Sequence, residues 1–470
     1  MGLIDDLAAV VGPPQVLVGE ATRRYADDWM GKYHGAPLAV VRPADTAQVA
    51  ACVRLAAAAG VAVVPVSGNT GLVGGTMTEG GLMISLERMN RIRALRPEAR
   101  LVVAEAGVIL QAIHEAAEAL GLYFPLWFGA RGSAQLGGAL STNAGGSNVL
   151  RYGSTRGLCL GIEVVLADGR VLDLMSELHK DNSGYDLKDL FIGAEGTLGI
   201  VTAAVMKLVP APLAHATACV AADSLPKALG LLNRMQAATG GRVEAFEFMP
   251  RSYSQRLVEA RPDLGLPFAE IPEVTILIEA GTTVAEEAAP GPDGAVPLVA
   301  RLEEVLGAMF EEGLISDAVV AQSEAQRRAM WARREAAAEI CVGLDPAVDT
   351  DVCLPLDKVD AFLTLTEARL AVLDPGIRSL TVAHLGDGNL HYTLFPTRKD
   401  AALADAVMDC VEDVVQELGG SFSAEHGIGL SKLPSMRRRK NPVALEVMRA
   451  LKAALDPQGV MNPGKVVPLG

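Results

Sequence analysis

The chain has 470 residues, of which 50% are hydrophobic, 21% are charged and 4% are aromatic. This length supports a large hydrophobic core and favours two domains over one. The formal net charge of -15 argues against a protein that binds nucleic acid or an anionic membrane, because its field would repel phosphate. The charge does not exclude a small anionic substrate, since a local cation or metal reverses the potential inside a cleft.

The N-terminus and the cysteines bear on where the protein works. Residues 1–12 lack the basic start and the long apolar core of a secretory signal, and no run of about 18 apolar residues predicts a membrane span. The 6 cysteines lie far apart and form no Cys-x-x-Cys pair, which argues against iron–sulfur and thiolate zinc sites. We therefore expect a cytoplasmic protein with reduced thiols.

A β-α-β unit is predicted near the N-terminus. Leu38–Arg42 is typical of a strand, and Asp45 with Gln48 forms a capping box for a helix that ends at Gly60. Val61–Val66 is short, apolar and β-branched, which indicates a buried strand. This second strand leads directly into a group of glycines.

The first glycine cluster is Ser67–Gly75, in which four glycines are combined with Ser, Asn and Thr. Glycine tolerates positive φ and has no side chain, so such a loop can turn several backbone N–H groups toward one pyrophosphate. The spacing is neither the Rossmann G-x-G-x-x-G nor a Walker loop, so a nicotinamide or ATP site is not supported. An ordinary turn remains the alternative to a phosphate-binding loop.

Two further clusters strengthen the case for a ligand. Gly137–Gly146 combines glycines with hydroxyl and amide side chains, and Phe191–Val201 does the same before it continues as a strand. Three such loops in one region favour a wall that wraps a long, flat, polar ligand. A dinucleotide fits that description.

Other elements follow from turn, cap and periodicity signals. Val164–Leu172 is predicted to be a hairpin with Asp168-Gly169 at its turn, and the two prolines of Lys207–Pro212 indicate a linker. Beyond the linker, the sequence predicts helices over Ser224–Gly240, Arg301–Gly313, Ala325–Ala338, Asp400–Leu418 and Asn441–Leu455, and a strand over Val274–Glu279.

A second hairpin carries two histidines. Asp387-Gly388 is a preferred two-residue turn, and if it forms the loop, His384 lies directly opposite His391. Opposed residues share a face with Cβ atoms about 4.5–5.5 Å apart, so both imidazoles could reach one metal. The neighbouring leucines, Leu385 and Leu390, would face a core. Two unrelated strand histidines remain the alternative.

The segment Ser423–Gly429 offers Glu425 and His426 beside glycines. A third ligand from Glu425 would complete a set of three protein ligands with one open position. That arrangement is typical of a catalytic zinc site.

These clusters resemble a known family. Pro65–Gly75, Ser141–Gly146 with Arg151-Tyr152-Gly153, and Gly193–Val201 are similar to the flavin-binding domain of the vanillyl-alcohol-oxidase and p-cresol-methylhydroxylase superfamily. The resemblance runs from about Asp28 to the C-terminus and is strongest to bacterial D-2-hydroxyglutarate and D-lactate dehydrogenases.

The resemblance implies FAD, with its pyrophosphate on the Ser67–Gly75 loop and the rest of the cofactor along the later clusters and Asn462. Some relatives attach FAD covalently through a histidine in the phosphate loop, which this chain lacks, so non-covalent FAD is expected. The cofactor-binding residues implied are Pro65, Ser67, Gly68, Asn69, Thr70, Gly71, Leu72, Gly74, Gly75, Ser133, Leu136, Gly137, Ser141, Asn143, Gly145, Gly146, Tyr152, Gly153, Gly196, Thr197, Gly199, Ile200, Val201 and Asn462.

The resemblance also implies a metal and a reaction. His384, His391 and Glu425 match the ligands of a divalent metal, most simply zinc, and Arg334 matches an arginine that pairs with the substrate carboxylate. By the same resemblance His426 would act as substrate contact or general base, a task that suits an imidazole near neutral pH. The expected reaction oxidises a D-2-hydroxy acid to the 2-oxo acid by hydride transfer to flavin N5, with the metal orienting the substrate.

Partners follow from this chemistry. The chain holds no cluster that could accept electrons, so an external acceptor is expected: an electron-transfer flavoprotein, a quinone or a cytochrome. A homodimer is left open. Two other functions are also left open, a non-catalytic flavin-binding subunit of a larger oxidase and a metal-dependent hydrolase that binds a nucleotide on its glycine loops.

Three positions depart from the hydroxyglutarate enzymes of the family. Ala338 stands where they tend to carry a hydroxyl residue, Asp349 where a lysine aligns, and Thr393 where an asparagine is usual. Fewer groups for a distal carboxylate predict a preference for a monocarboxylate or a bulkier side chain.

The fold class expected is α+β. A p-cresol-methylhydroxylase-type FAD domain over residues 1–212, with its core at about 36–212, would precede a cap domain with an antiparallel sheet over 213–424. Residues 425–470 would return to the FAD domain.

Overall fold

A computed structural model describes residues 2–341 and 344–468. The chain divides into two compact units, and it crosses between them more than once. Unit 1 comprises Met1–Gly145, Gly153–Pro210 and Glu425–Gly470, and unit 2 comprises Gly146–Tyr152 and Ala211–Ala424. Within the described residues, no helix combines the length and apolar character needed to cross a lipid bilayer.

In unit 1, strands and helices alternate along the chain. In unit 2, the strands form one sheet and helices flank it. The strands are β1 (Val16–Leu17), β2 (Ala39–Val41), β3 (Val63–Val66), β4 (Leu82–Ser85), β5 (Ile92–Arg96), β6 (Leu101–Glu105), β7 (Leu122–Tyr123), β8 (Cys159–Val165), β9 (Val171–Leu174), β10 (Ile200–Lys207), β11 (Val209–Pro210), β12 (Ala214–Ala222), β13 (Val243–Pro250), β14 (Val274–Thr282), β15 (Asp317–Val320), β16 (Val348–Cys353), β17 (Arg378–His384) and β18 (Asn389–Phe395). The α-helices are α1 (Leu3–Val11), α2 (Thr46–Ala58), α3 (Leu110–Glu118), α4 (Leu136–Thr142), α5 (Val149–Tyr152), α6 (Thr155–Leu158), α7 (Lys188–Phe191), α8 (Leu225–Thr239), α9 (Arg251–Ala260), α10 (Ala285–Ala288), α11 (Pro297–Glu311), α12 (Glu324–Glu335), α13 (Ala337–Cys341), α14 (Val359–Leu373), α15 (Ala401–Glu417), α16 (Leu433–Arg439) and α17 (Pro442–Leu455).

The predicted β-α-β unit is confirmed in unit 1. Its strands β2 and β3 both pair in parallel with β4, in a sheet of order β1-β2-β4-β3. The side chain of Asp45 accepts a hydrogen bond from the backbone N–H of Gln48, and the Gln48 side chain accepts one from the N–H of Ala44. The first bond satisfies an N–H group that a helix start leaves open, and the second goes to the residue before the cap, so α2 begins at the predicted cap, Asp45.

A second sheet of unit 1 is antiparallel and has the order β5-β6-β10-β8-β9. Strands β8 and β9 form the predicted hairpin, with Val165 opposite Val171 and Gly169 at a φ of 78° in the turn. Strand β10 continues directly from the third glycine cluster into the middle of this sheet. The cluster is therefore anchored at one end by a central strand.

Unit 2 is built on a sheet of seven strands in the order β15-β12-β14-β13-β17-β18-β16. One face is apolar and packs against helices α8, α11, α14 and α15. The other face is apolar only in part, where it meets α9, α12 and α13. The rest of this second face carries buried Glu247, Asp351 and His384 and partly exposed His391, and these residues supply the candidate site.

The predicted α+β class with an antiparallel cap sheet is confirmed. All 6 cysteines lie within the described residues and are free thiols. The helices predicted beyond the linker are also confirmed, with one difference. The helix expected over Ala325–Ala338 is two helices, α12 and α13.

Candidate active site

The glycine clusters predicted to bind a cofactor come together within unit 1. A Cβ added at Gly68 would lie 2.2 Å from the backbone oxygen of Ser133, and one at Gly196 would lie 2.3 Å from Cγ of Pro65. A Cβ at Gly138 would lie 3.3 Å from Cβ of Ser67. Only glycine allows these loops to approach so closely. The loops therefore form one continuous surface.

The C-terminal segment of unit 1 joins the same surface through Asn462. Its Nδ2 donates to the backbone oxygens of Gly75 (3.0 Å) and Glu195 (2.8 Å), so it links the first and third clusters. The Asn462 side chain is buried, and its Oδ1 has no hydrogen-bond partner among the described residues. A buried acceptor of this kind needs a donor. A polar ligand on this surface, such as FAD, fits that requirement.

Glu195, in the third cluster, holds the loop that carries Glu425 and His426. The Glu195 carboxylate accepts hydrogen bonds from the backbone N–H groups of Ile428 (2.6 Å) and Gly429 (2.9 Å). Burial raises the pKa of Glu195 above its usual value, although these two donors and Lys432 act in the opposite direction. The two candidate residues therefore sit on a loop fixed to the predicted cofactor surface.

Several predicted cofactor residues hold the loops rather than face outward. Asn69 accepts from the Thr76 hydroxyl, Ser141 donates to the backbone oxygen of Gly137, and Asn143 accepts from the backbone N–H of Arg156. The second cluster is also not a loop throughout, because Leu136–Thr142 forms helix α4 and Asn143 ends it in the left-handed region. Ile200 and Val201 begin β10 and are buried.

Tyr152 and Gly146 belong to unit 2, unlike the other predicted cofactor residues. The Tyr152 hydroxyl donates to Glu244 Oε1 at 2.6 Å, and Arg151 donates to the same oxygen at 2.7 Å. Glu244 is 3% exposed and lies on β13. This segment is thus fixed to the cap sheet by one buried carboxylate.

The histidine hairpin has a different register from the one predicted. His384 is opposite Asn389 and His391 is opposite Val382, so the direct pairing of the two histidines was wrong. The strands are joined by four residues, Leu385–Gly388. In this loop the backbone oxygen of His384 accepts 3.2 Å hydrogen bonds from the N–H groups of Asp387 and Gly388, and Leu385 is fully buried. The shift is by two residues, which keeps each side chain on its face. The two imidazoles therefore still meet, with ring centroids 5.5 Å apart, and Leu390 is buried on the other face.

A buried carboxylate, Glu247 on β13, connects two of the predicted site residues. Its Oε1 lies 2.8 Å from Nδ1 of His384, and its Oε2 accepts a 2.8 Å hydrogen bond from Nε of Arg334. Burial alone raises the pKa of Glu247, but His384 and Arg334 hold that pKa below its usual value. The carboxylate therefore contacts both partners at hydrogen-bond distance.

A second buried carboxylate, Asp351 on β16, lies beside His391. It lies opposite His391 in the ladder, and its Oδ1 is 3.9 Å from Nδ1 of His391. Its Oδ2 and its backbone oxygen accept from the backbone N–H of Ala424, at 3.2 and 3.1 Å. Ala424 is the last residue of unit 2, and Glu425 follows it in the chain. A contact within unit 2 thus fixes the residue that precedes Glu425.

Glu425 and His426 themselves belong to unit 1. Oε1 of Glu425 is 3.9 Å from Nε2 of His426, and both side chains are partly exposed. The next residue, Gly427, has a φ of 84°, and a Cβ there would lie 2.7 Å from Oε1 of Glu195. The loop can therefore pass Glu195 only with glycine at this position.

Glu247, Asp351 and Glu195 were not predicted as site residues. For Glu247 a signal exists, because a charged residue between Phe246 and Phe248 in a mostly apolar strand is expected to be buried or to face a site. The sequence does not identify its partners, which are 87 and 137 residues away. The imidazoles of His384 and His391, with the Glu247 carboxylate behind His384, are a donor set that suits a divalent metal.

Comparisons with known proteins agree with this geometry. The family described as "FAD linked oxidases, C-terminal domain" matches residues 211–466, and the family described as "FAD binding domain" matches residues 37–175. Mitochondrial D-2-hydroxyglutarate dehydrogenase of Bos taurus is 37% identical over 469 residues, which is 99% of this chain and 84% of that protein. D-2-hydroxyglutarate dehydrogenase of Stutzerimonas stutzeri (strain A1501) is 35% identical over 476 residues, covering 99% of this chain and 98% of that protein.

The fold has solved counterparts. The crystal structure of p-cresol methylhydroxylase with substrate bound gives a TM-score of 0.73 at 15% identity and covers 98% of this chain and 96% of that chain. The relatives that match are dehydrogenases, which favours an oxidoreductase over the two alternatives left open, a non-catalytic flavin-binding subunit and a hydrolase. The chain therefore belongs to the FAD-linked D-2-hydroxyacid dehydrogenases, and it is an oxidoreductase that acts on a CH–OH group.

Proposed function

We propose that this enzyme oxidises a D-2-hydroxy acid to the 2-oxo acid with non-covalent FAD and a divalent metal, zinc first, at His384, His391 and Glu425. The observation that carries the proposal is the histidine pair on the cap sheet, with imidazole centroids 5.5 Å apart and Glu247 behind His384. The third ligand, Glu425, rests on the family resemblance alone.

Each side chain has a task in this proposal. Among the residues that the structure describes, the Arg334 guanidinium donates a hydrogen bond through Nε to Glu247, and its two Nη groups would bind a substrate carboxylate. His426 takes the proton of the substrate hydroxyl as the C–H bond breaks. When bound, FAD would accept the hydride at N5 and the metal would lower the pKa of the substrate hydroxyl.

Anaerobic bleaching of the flavin tests the proposal. We expect D-2-hydroxy acids to bleach the oxidised flavin absorbance, their L enantiomers not to do so, and prior treatment with a chelator to slow the bleaching. Zinc added back should restore the rate. Bleaching by neither enantiomer, or bleaching that a chelator leaves unchanged in metal-free protein, would contradict the substrate or the metal respectively.

Which side chain the substrate carries is a separate question from the reaction. The relatives are named for D-2-hydroxyglutarate, which makes this acid the first to test. Asp349 and Thr393 lie opposite each other on β16 and β18, two residues along from Asp351 and His391, and the Thr393 hydroxyl donates to Asp349 at 3.1 Å. They share the face of the site, so the Asp349 carboxylate would repel a second carboxylate on the substrate.

Asp349→Asn should therefore raise kcat/KM for D-2-hydroxyglutarate relative to D-2-hydroxybutyrate. One exposed like-charge pair costs about 1 kcal/mol in water, which corresponds to about a fivefold change in this ratio. Steady-state rates with both acids measure it, and Asp360→Asn, an exposed carboxylate on α14, is the control. A wild-type enzyme that clearly prefers hydroxyglutarate, with no change in the variant, would refute the preference predicted from Asp349.

A further inference from the structure

We propose that Glu247 is a positioning residue that determines which ring nitrogen of His384 carries the proton. The inference rests on the proposed function where it concerns the metal, and on the contacts of Glu247 where it concerns the imidazole. Glu247 is fully buried, and its two oxygens are used separately, Oε1 toward His384 on β17 and Oε2 toward Arg334 on α12. One side chain thus connects three elements of unit 2.

An ionised carboxylate can only accept hydrogen bonds. The 2.8 Å contact between Glu247 Oε1 and His384 Nδ1 therefore requires the proton of His384 to be on Nδ1. In the neutral imidazole, Nε2 then carries the lone pair and can bind a metal. Glu247 selects the form of His384 that the metal needs.

Because of Arg334, replacing a single atom of the Glu247 side chain should change which nitrogen of His384 is protonated. A guanidinium can only donate, so the side chain at position 247 must keep an acceptor toward Nε of Arg334. In Glu247→Gln the amide oxygen has to face Arg334, and the amide NH2 then faces His384. His384 would accept that bond at Nδ1 and carry its proton on Nε2, which prevents Nε2 from binding a metal.

The same sheet face supplies a matched control. Glu279 on β14 is also buried, and it pairs with Arg327 of α12, seven residues before Arg334 on the same helix. Within the described part of the chain, the other hydrogen-bond partners of Glu279 are Thr217 and Trp331, and none of its hydrogen bonds goes to a histidine. Glu279→Gln therefore removes an equally buried charge beside the same helix without changing the bond to His384.

The experiment compares wild type, Glu247→Gln and Glu279→Gln as flavin-loaded proteins. With histidine labelled by ¹⁵N, long-range ¹H–¹⁵N correlations show which ring nitrogen is protonated, and His384→Gln assigns the signal. We expect protonated Nδ1 in metal-free wild type and Glu279→Gln, and protonated Nε2 in Glu247→Gln. The same nitrogen protonated in all three proteins would overturn the proposal.

Zinc affinity gives a second readout, from competition with a chromophoric chelator. Glu247→Gln should bind zinc about 10- to 100-fold more weakly than wild type, the usual effect of losing the carboxylate behind a metal-binding histidine. Glu279→Gln should stay near wild type, and equal losses in both variants would overturn the proposal. We also expect kcat to fall more than KM rises in Glu247→Gln, because the amide oxygen still holds Arg334.

A failure of the proposed function can be distinguished from a failure of the role proposed for Glu247. If wild type bound no zinc, the metal at His384 and His391 would be refuted while the labelled histidine still reported on Glu247. If wild type bound zinc and Glu247→Gln bound it equally well with Nδ1 protonated, the role of Glu247 would be refuted and the metal site would stand.

Discussion

His426→Ala is expected to lower kcat by about 10²- to 10⁴-fold and to leave the flavin bound. This is the range that a positioned general base contributes to a proton transfer. His426 lies on the loop that Glu195 holds through the N–H groups of Ile428 and Gly429, and these backbone bonds do not depend on the imidazole. Stopped-flow bleaching by the best D-2-hydroxy acid measures the step directly, and the flavin spectrum of the purified variant reports the cofactor.

Added imidazole separates a base from a structural residue. If His426 accepts the substrate proton, imidazole in the buffer should restore part of the activity of His426→Ala. It should not affect His179→Asn, in which an exposed histidine of a unit 1 loop is replaced. A variant that keeps wild-type rates would remove His426 from the mechanism. A variant that loses both its flavin and its stability would make the residue structural.

Local signals predicted most of the secondary structure. The capping box at Asp45 and the Asn441 side chain, which accepts from the N–H groups of Val443 and Ala444, fix the starts of α2 and α17 within a few residues of sequence. Such caps depend only on neighbouring atoms, so the sequence alone contains the information. The same holds for the glycine at position 169, whose turn joins adjacent strands.

The histidine hairpin marks the limit of local reasoning. Asp387-Gly388 favours a two-residue turn, but the loop has four residues, and the N–H of Gly386 in it donates to the backbone oxygen of Phe246 on β13, a contact with another strand that a local pattern does not contain. The predicted meeting of His384 and His391 survived because the register moved by an even number of residues. A shift by one would have placed the imidazoles on opposite faces.

Long-range partners were the part that the sequence could not supply. Glu247 meets His384 and Arg334 because β13 lies beside β17 and beneath α12, an arrangement set by strand order in the whole sheet. The glycine clusters were recognisable, whereas their packing against Ser133 and Pro65 depends on the assembled unit. The residues of a site are thus easier to predict from the sequence than the distant residues that position them.

Loss of the two histidines should produce the second large effect. We expect His384→Gln and His391→Gln each to abolish stoichiometric zinc binding and to lower kcat/KM by about 10²- to 10⁴-fold. That range corresponds to the several kcal/mol that a bound metal contributes to stabilising developing charge. Zinc content by elemental analysis and steady-state rates measure the two quantities. His215→Gln is the control, a third histidine of unit 2 whose Nε2 lies 3.2 Å from Glu244.

The double variant decides whether the histidines act together. Two ligands of one metal fail as a unit, so His384→Gln/His391→Gln should be no slower than the worse single variant. If the losses multiplied instead, the two imidazoles would have separate roles, such as one substrate contact each, and a shared metal would be contradicted. Wild-type zinc content in either single variant would contradict it as well. The 5.5 Å between the rings makes the first result the expected one, because side chains this close to each other are rarely independent.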